Sequence, residues 1–271
     1  MIACTIAGSD SGGGAGIQAD LKTFQELGVF GTSVITALTA QNTTGVHGIF
    51  PTTPSFVQLQ LKAVLEDFDV KAIKTGMLFD AEIIEEVANV LKERKIPLIV
   101  DPVMIAKGGA SLLQQKAVHS LKEKLLPIAT ICTPNIPEAE LLTGCSIKTN
   151  QDIEHAANEL LALGVECVIM KGGHLDGEWA TDTVFWNGGS FAITTPRIKT
   201  KDTHGTGCTF SAALTAQLAK GLSMEEAIIE AKKYIHLAIS NPLSIGHGHG
   251  PTNHFAYKHA GGKCEVSIHE S

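Results

Sequence analysis

The run Asp202-Thr203-His204-Gly205-Thr206-Gly207-Cys208-Thr209 stands directly before a small-residue helical segment, Ser211 to Lys220, an order of residue types suited to holding an anion. The first N–H groups of a helix lack an intrahelical partner, and the helix dipole adds partial positive charge at the same end. Glycines at 205 and 207 clear side chains from the approach and allow the dihedrals of an anion-binding nest, so a transferring phosphate fits there. A glycine-rich loop that only starts a packed helix is the other reading of Gly-x-Gly alone. Cys208 falls in the first turn, where the dipole lowers a thiol's pKa and a bound anion raises it. A value near neutrality is the expectation; a small cysteine that merely packs is the alternative.

Elements that position such a loop follow from the hydrophobic pattern. Apolar runs of strand length, without clean alternation, intersperse with segments of helical period, the mark of strands covered on both faces. Strands are expected at Cys4–Ala7, Ser33–Ala40, Ala72–Thr75, Leu98–Asp101, Thr130–Thr133 and Cys167–Met170. Helices are expected at Ile17–Leu27, Pro54–Asp67, Ala81–Glu93, Gln114–Leu126, Ile136–Leu142, Gln151–Leu163, Gly207–Lys220 and Met224–Ser240. Short connections between such units give right-handed crossovers and a mostly parallel sheet flanked by helices. Asp182–Trp186 and Ser190–Thr194 around Asn187-Gly188-Gly189 read as an edge hairpin. Residues 1–258 form one expected domain, and 259–271 a loosely held tail without apolar periodicity.

In open α/β sheets the ligand crevice lies beyond the carboxyl ends of the strands. That rule selects Gly8 to Gly16, Gln41-Asn42, Gly76-Met77, Asp101 to Met104, Pro134 to Glu138, and Lys171-Gly172-Gly173-His174. The first glycine loop lacks Gly-x-Gly-x-x-Gly with a suitably placed acid, which argues against a dinucleotide oxidoreductase.

The composition of the 271 residues narrows the class further. With 44% hydrophobic and 18% charged residues the chain is ordinary for a globular protein, and a net charge of −7 argues against a nucleic-acid partner. No apolar run is long enough to span a bilayer, and the start of the chain is unlike a secretory signal. Six scattered cysteines fit neither a zinc site nor a disulfide scaffold, so a cytoplasmic location is expected.

The stretch DTHGTGCTFSAA resembles the C-terminal signature of the ribokinase-like kinases, and AGSDSGGGAGIQADLKTF resembles the branch of hydroxymethylpyrimidine and pyridoxal kinases. The resemblance continues in order through AQNTTGV, KTGML, DPVM, TPNIPEAELL, MKGGH and GHGHGPTNHF, roughly residues 3 to 255. It is nearest to the bifunctional hydroxymethylpyrimidine/phosphomethylpyrimidine kinases. The resemblance implies a three-layer ribokinase-like sandwich without a large lid, ATP and Mg2+ as cosubstrate and cofactor, a small pyrimidine substrate, no membrane partner and a homodimer. A mobile loop or a neighbouring subunit is then expected to cover the pocket. Pyridoxal kinase is the alternative within the class, and a non-catalytic pyrimidine-binding protein the alternative outside it.

The same resemblance distributes roles. Cys208 takes the place of an aspartate base found in many related sugar kinases, with Gly205 and Gly207 beside it as the phosphate cradle. Asn135 and Glu138 match an Asn-x-x-Glu motif that faces nucleotide and hydrated magnesium, with Asp101 completing the acidic set; helix capping is the simpler alternative for the pair. Lys171, Thr203, His204 and Thr206 match nucleotide positions, with Thr203 and His204 touching phosphate or ordering the loop; a solvated lysine and a turn-capping threonine are open alternatives. Gly8, Asp20, Gln41, Met77 and Val103 match substrate positions. The amide of Gln41 offers a donor and an acceptor side by side, the complement of an aminopyrimidine edge. Met77 and Val103 can equally be core, and Asp20 can serve the helix dipole. His247, His249 and His254 are not expected to hold a metal, because the glycines between them fix no coordination geometry.

Overall fold

A computed structural model describes residues 1–104, 115–172 and 177–270. The expected residues Gly173, His174 and Gln114 lie outside that set. Ten strands join in one sheet in the order β10-β9-β8-β7-β6-β5-β4-β1-β2-β3. Its middle is parallel and runs β7 (Cys167–Lys171), β6 (Ile131–Cys132), β5 (Leu98–Val100), β4 (Ala72–Thr75), β1 (Ile2–Asp10) and β2 (Phe30–Asn42). At one edge β8 (Trp179–Trp186) and β9 (Gly189–Pro196) form the expected antiparallel hairpin, longer than its apolar kernel. At the other edge β3 (Gly45–Pro51) pairs antiparallel with β2; it was not among the expected strands.

Two apolar cores sit on the two faces of the sheet. Cys4 and Ile6 point to one face and Ala3 to the other, the alternation that the pleat imposes. The first face carries α2 (Pro54–Asp67), α3 (Ala81–Leu91), α4 (Gln115–Ser120), α5 (Ile136–Thr143) and α6 (Asn150–Ala162). The second carries α1 (Gly16–Glu26), α7 (Thr206–Ala219) and α8 (Met224–Ser240). Helix starts are set locally. Thr53 and Asp80 cap α2 and α3, while Thr149 with Asp152 and Ser223 with Glu226 form reciprocal capping boxes on α6 and α8.

The expected helix ending at Leu126 is corrected in its second half. After α4 the chain widens into a π turn over Leu121–Leu125 and closes on a short 3-10 turn at Leu126–Ile128, where Pro127 lacks the N–H that would continue it. The loosely held tail is also corrected. Ala256–His259 forms a short helix, α9, and Ser267–Glu270 forms β10, hydrogen-bonded to β9. No helix among the described residues is long and apolar enough to cross a membrane.

Candidate active site

The first turn of α7 leaves backbone N–H groups without partners at the meeting of two glycine loops. Gly205, its N-cap, has φ +78°, and a Cβ there would lie 1.8 Å from the carbonyl oxygen of Gly14, so the close approach of the two glycine loops requires glycine. The N–H groups of Gly205, Gly207 and Cys208 engage no partner among the described residues. Thr206 differs from expectation: its hydroxyl donates to the Thr203 carbonyl at 2.8 Å and closes the turn, which turns that side chain away from a nucleotide role.

Lys171, the last residue of β7, comes to the same place. A Cβ on Gly207 would be 3.2 Å from its ammonium. The ammonium donates to Asp101 Oδ1 at 2.9 Å and lies 3.9 Å from Glu138 Oε2, with 14% of the lysine side chain exposed. Asp101 also accepts from Ser211 Oγ at 3.2 Å and Thr133 Oγ1 at 3.3 Å. Burial works against its charge, yet Lys171 and Lys74 hold the Asp101 carboxyl below the usual range. Burial dominates at Glu138 and, with the nearby Asp101 charge, pushes it up to about 7 against the pull of Lys171. Asn135 and Glu138 form a capping box: Asn135 Oδ1 accepts from the Glu138 N–H at 2.9 Å, and Glu138 Oε2 accepts from the Asn135 N–H at 2.8 Å. Capping, the simpler alternative, thus holds for both, and it presents the acid of Glu138 to Lys171.

On the substrate side, a Cβ on Gly8 would sit 2.3 Å from Met77 Cε, so the glycine makes room for that thioether. Val103 meets Gly76 and Asp101 around a void of about 10 Å³, too small for a ring. Gln41 is half-buried at the end of β2, its amide oxygen 3.2 Å from Thr39 Oγ1. Asp20 is corrected. It is fully buried, both oxygens lie within 2.9 Å of the Lys74 ammonium, and Thr5 donates to one of them. Burial raises the Asp20 carboxyl, while the charge of Asp20 carries Lys74 up to about 12 against its own desolvation; contacts this short mark the pair as ionised. Such an acid supports the site from behind and leaves no oxygen for a substrate hydroxyl.

The thiol of Cys208 is corrected in its chemistry. Desolvation pushes it up to about 11, outweighing the pull of Lys74 and of the Gly16 N–H that points at the sulfur. It is a neutral thiol at pH 7 rather than a group poised there.

His204 is placed to order the loop, one of the two roles open to it in the sequence. Its N–H is given to Gly250 O at 3.0 Å, and its ring Nε2 lies 2.8 Å from Asp10 Oδ2. Asp10, unforeseen in the sequence, accepts the N–H groups of Gly12, Gly14 and Ala15 as well. Lys74 was also missed; a lysine inside an apolar strand is itself the signal, since a buried ammonium requires a counter-charge. His247 and Gly248 donate their N–H groups to Thr43 Oγ1 at 3.1 and 3.2 Å, and His249 gives its own to Thr43 O at 3.0 Å, so this loop clamps the β2–β3 turn. His254 is buried against Thr209 Oγ1 at 3.1 Å; burial, with the charges of Lys22 and His204, pushes it down to about 4. Among the described residues no three metal-ligating side chains cluster. A hollow of about 450 Å³ lined by Trp179, His236, Lys263 and Cys264 lies at the β9–β10 edge, and no candidate residue lines it.

A mostly parallel sheet, helices on both faces, and an anion cradle opening α7 opposite the strand ends define a kinase of the ribokinase-like class. Residues 10–253 match the family model described as phosphomethylpyrimidine kinase. The chain belongs to the phosphomethylpyrimidine kinase family. It is 57% identical over 258 residues to the hydroxymethylpyrimidine/phosphomethylpyrimidine kinase of Bacillus subtilis strain 168, covering 94% of this chain and 95% of that one. It is 53% identical to the thiamine biosynthesis bifunctional protein ThiED of Geobacter sulfurreducens, over 92% of this chain and 51% of that longer one. The solved pyridoxal kinase of Staphylococcus aureus in complex with AMP-PCP and pyridoxal superimposes with a TM-score of 0.92 at 36% identity, covering 100% of this chain and 98% of the other. The chain is therefore a phosphotransferase.

Proposed function

We propose that this chain transfers the γ-phosphoryl group of ATP to the hydroxymethyl group of 4-amino-5-hydroxymethyl-2-methylpyrimidine and then phosphorylates the monophosphate to the diphosphate, in thiamine synthesis. The observation that carries it is the first turn of α7, where the N–H groups of Gly205, Gly207 and Cys208 have no partner among the described residues and the Lys171 ammonium would lie 3.2 Å from a Cβ on Gly207. Phosphoryl transfer asks a protein mostly for positioning and charge stabilisation, which this arrangement supplies. The relatives with the higher identity carry the pyrimidine name, which favours that substrate over pyridoxal. The likeness to a pyridoxal-bound kinase keeps pyridoxal as the second reading.

Each residue has a part. Lys171 neutralises charge on the nucleotide phosphates, beside Asn135 and Thr203 at the nucleotide end. The N–H groups at 205, 207 and 208 hold the migrating phosphoryl. In its thiolate form, a small minority at pH 7, Cys208 takes the proton of the substrate alcohol as the alcohol oxygen bonds the γ-phosphorus and ADP leaves. Met77, which fills the space over Gly8, and Val103 pack the ring, and Gln41 reads its edge. Two buried carboxylates beside one lysine suit Mg2+, which takes most of its ligands from water and phosphate; Asp101 and Glu138 would hold it, and it would neutralise phosphate charge.

The exposed apolar residues Leu38, Ile49 and Phe50 on the β2–β3 hairpin support a homodimer. Residues 1–258 act as one kinase domain in the cytoplasm, where six free thiols are at home. The deciding experiment is product analysis with ATP, Mg2+ and either the hydroxymethylpyrimidine or pyridoxal. Phosphate on the pyrimidine supports the proposal; transfer to pyridoxal alone overturns it.

A further inference from the structure

The ring nitrogen His204 Nε2 faces two groups. It lies 2.8 Å from Asp10 Oδ2 and 3.3 Å from the amide nitrogen of Gln41. Asp10 is almost fully buried and ionised: burial opposes its charge, but the hydrogen bond and charge of His204, with the loop N–H groups, hold it below the usual carboxylate range. A carboxylate can only accept, so the proton between them sits on Nε2 and is donated to Asp10. An Nε2 that donates has no lone pair for the Gln41 amide, and two donors would oppose each other at 3.3 Å.

Exchanging the two ends of the amide, which are alike in shape, removes the conflict. The Gln41 oxygen then shares the one Nε2 proton with Asp10 as its longer acceptor, and its NH2 group donates to Thr39 Oγ1, at 3.2 Å from the other amide end. The Thr39 hydroxyl is free to receive it, because its own proton goes to Ser9 O at 2.8 Å. The opposite orientation leaves Gln41 facing a donor with a donor.

We infer that the Asp10–His204 pair is a lock that fixes which end of the Gln41 amide is acceptor and which is donor, and that it thereby sets the substrate the site accepts. An unlocked glutamine turns over freely and reads an amino-bearing edge or its oxo counterpart equally well, since the two differ by exchange of donor and acceptor. A locked one reads only the amino form, whose ring nitrogen accepts and whose amino group donates. Asp10 and His204 are positioning residues: they act through Gln41 and touch no reacting atom. This inference rests on the pyrimidine kinase reading above, and it adds to that reading a rejection of the deaminated ring.

The experiment compares kcat/KM for the hydroxymethylpyrimidine and for its oxo counterpart in wild type, His204→Leu and Asp10→Asn. A well-placed two-point contact discriminates by about 1–3 kcal/mol, so the amino-to-oxo ratio is expected to fall by roughly 5- to 150-fold in His204→Leu. Equal losses on both substrates, with the ratio unchanged, overturn the lock and leave His204 a structural residue. Because Asp10→Asn weakens three loop hydrogen bonds and can unfold the loop, a second measurement stands apart from activity. The ¹⁵N shifts of the His204 ring in the wild-type protein at pH 8 are expected to show Nε2 protonated; a bare Nε2 overturns the inference. Should wild type phosphorylate neither pyrimidine, the substrate assignment falls with it, whereas the ring shifts still decide whether Gln41 is locked.

Discussion

Two lysine–aspartate pairs flank the start of α7, and they differ in what surrounds them. Lys74–Asp20 is sealed: neither side chain has any exposed surface, and each carboxylate oxygen is within 2.9 Å of the ammonium. Lys171–Asp101 is open: the lysine keeps 14% exposure, and a second acid, Glu138, stands 3.9 Å away. A sealed pair has its hydrogen bonds completed within the fold and serves shape. An open pair with one acid too many has charge left over for a ligand, and that surplus is why burial can drive Glu138 up to about 7.

The sharpest way to break this contrast is to cut the sealed pair. Asp20→Ala leaves Lys74 buried without a counter-charge and is expected to cost about 3–5 kcal/mol in urea unfolding, with Asp20→Ala/Lys74→Met recovering much of it. Next, Lys171→Met is expected to lower kcat roughly 10²–10³-fold while moving the urea midpoint far less than Asp20→Ala does. A Lys171 variant as unstable as the Asp20 one would erase the distinction between the pairs. Cys208→Ala should reduce kcat by about 10²-fold with little change in stability; full rate would remove the thiol from the reaction.

A pH profile sharpens the comparison more gently. Glu138 titrates at about 7, so kcat/KM should fall as pH drops through that value and protonates it, and Glu138→Gln should flatten that limb. The smallest effect belongs to a buried group with no ion partner at all. His254, pushed down to about 4, is neutral in the folded protein while the unfolded chain takes up a proton below about 6.5. Stability is thus present above pH 6.5 and lost as the pH falls toward 4, by roughly 1–3 kcal/mol in all. Melting temperatures across that range should fall less steeply in His254→Gln.

Much of this was legible in the residues. Strand and helix positions followed from apolar runs and caps, and α2, α8 and β4 have the expected bounds. What escaped were features that no local pattern encodes. β3 alternates weakly and carries a glycine at 48, so it is a strand only because β2 offers it an edge. β10 is a strand only because β9 lies open beside it. The glycine-led start of α7 at 205–208 was readable because helix-end chemistry is local, as was the choice between capping and metal binding at Asn135, which left both open. Asp10 was not, because its partner is 194 residues away. The near-neutral thiol failed for a related reason: the dipole is visible in sequence order, whereas the burial that desolvates Cys208, and the charges of Asp101 and Asp20 that add to it, come from distant parts of the chain.

The clasp of residues 247–249 around Thr43 has a bearing on how the enzyme comes into being. It spans about 205 positions, so a ribosome must deliver nearly the whole chain before the turn after Gln41 finds its anchor. Until then the first fifty residues can pair as strands, but the turn after Gln41 stays without its clasp.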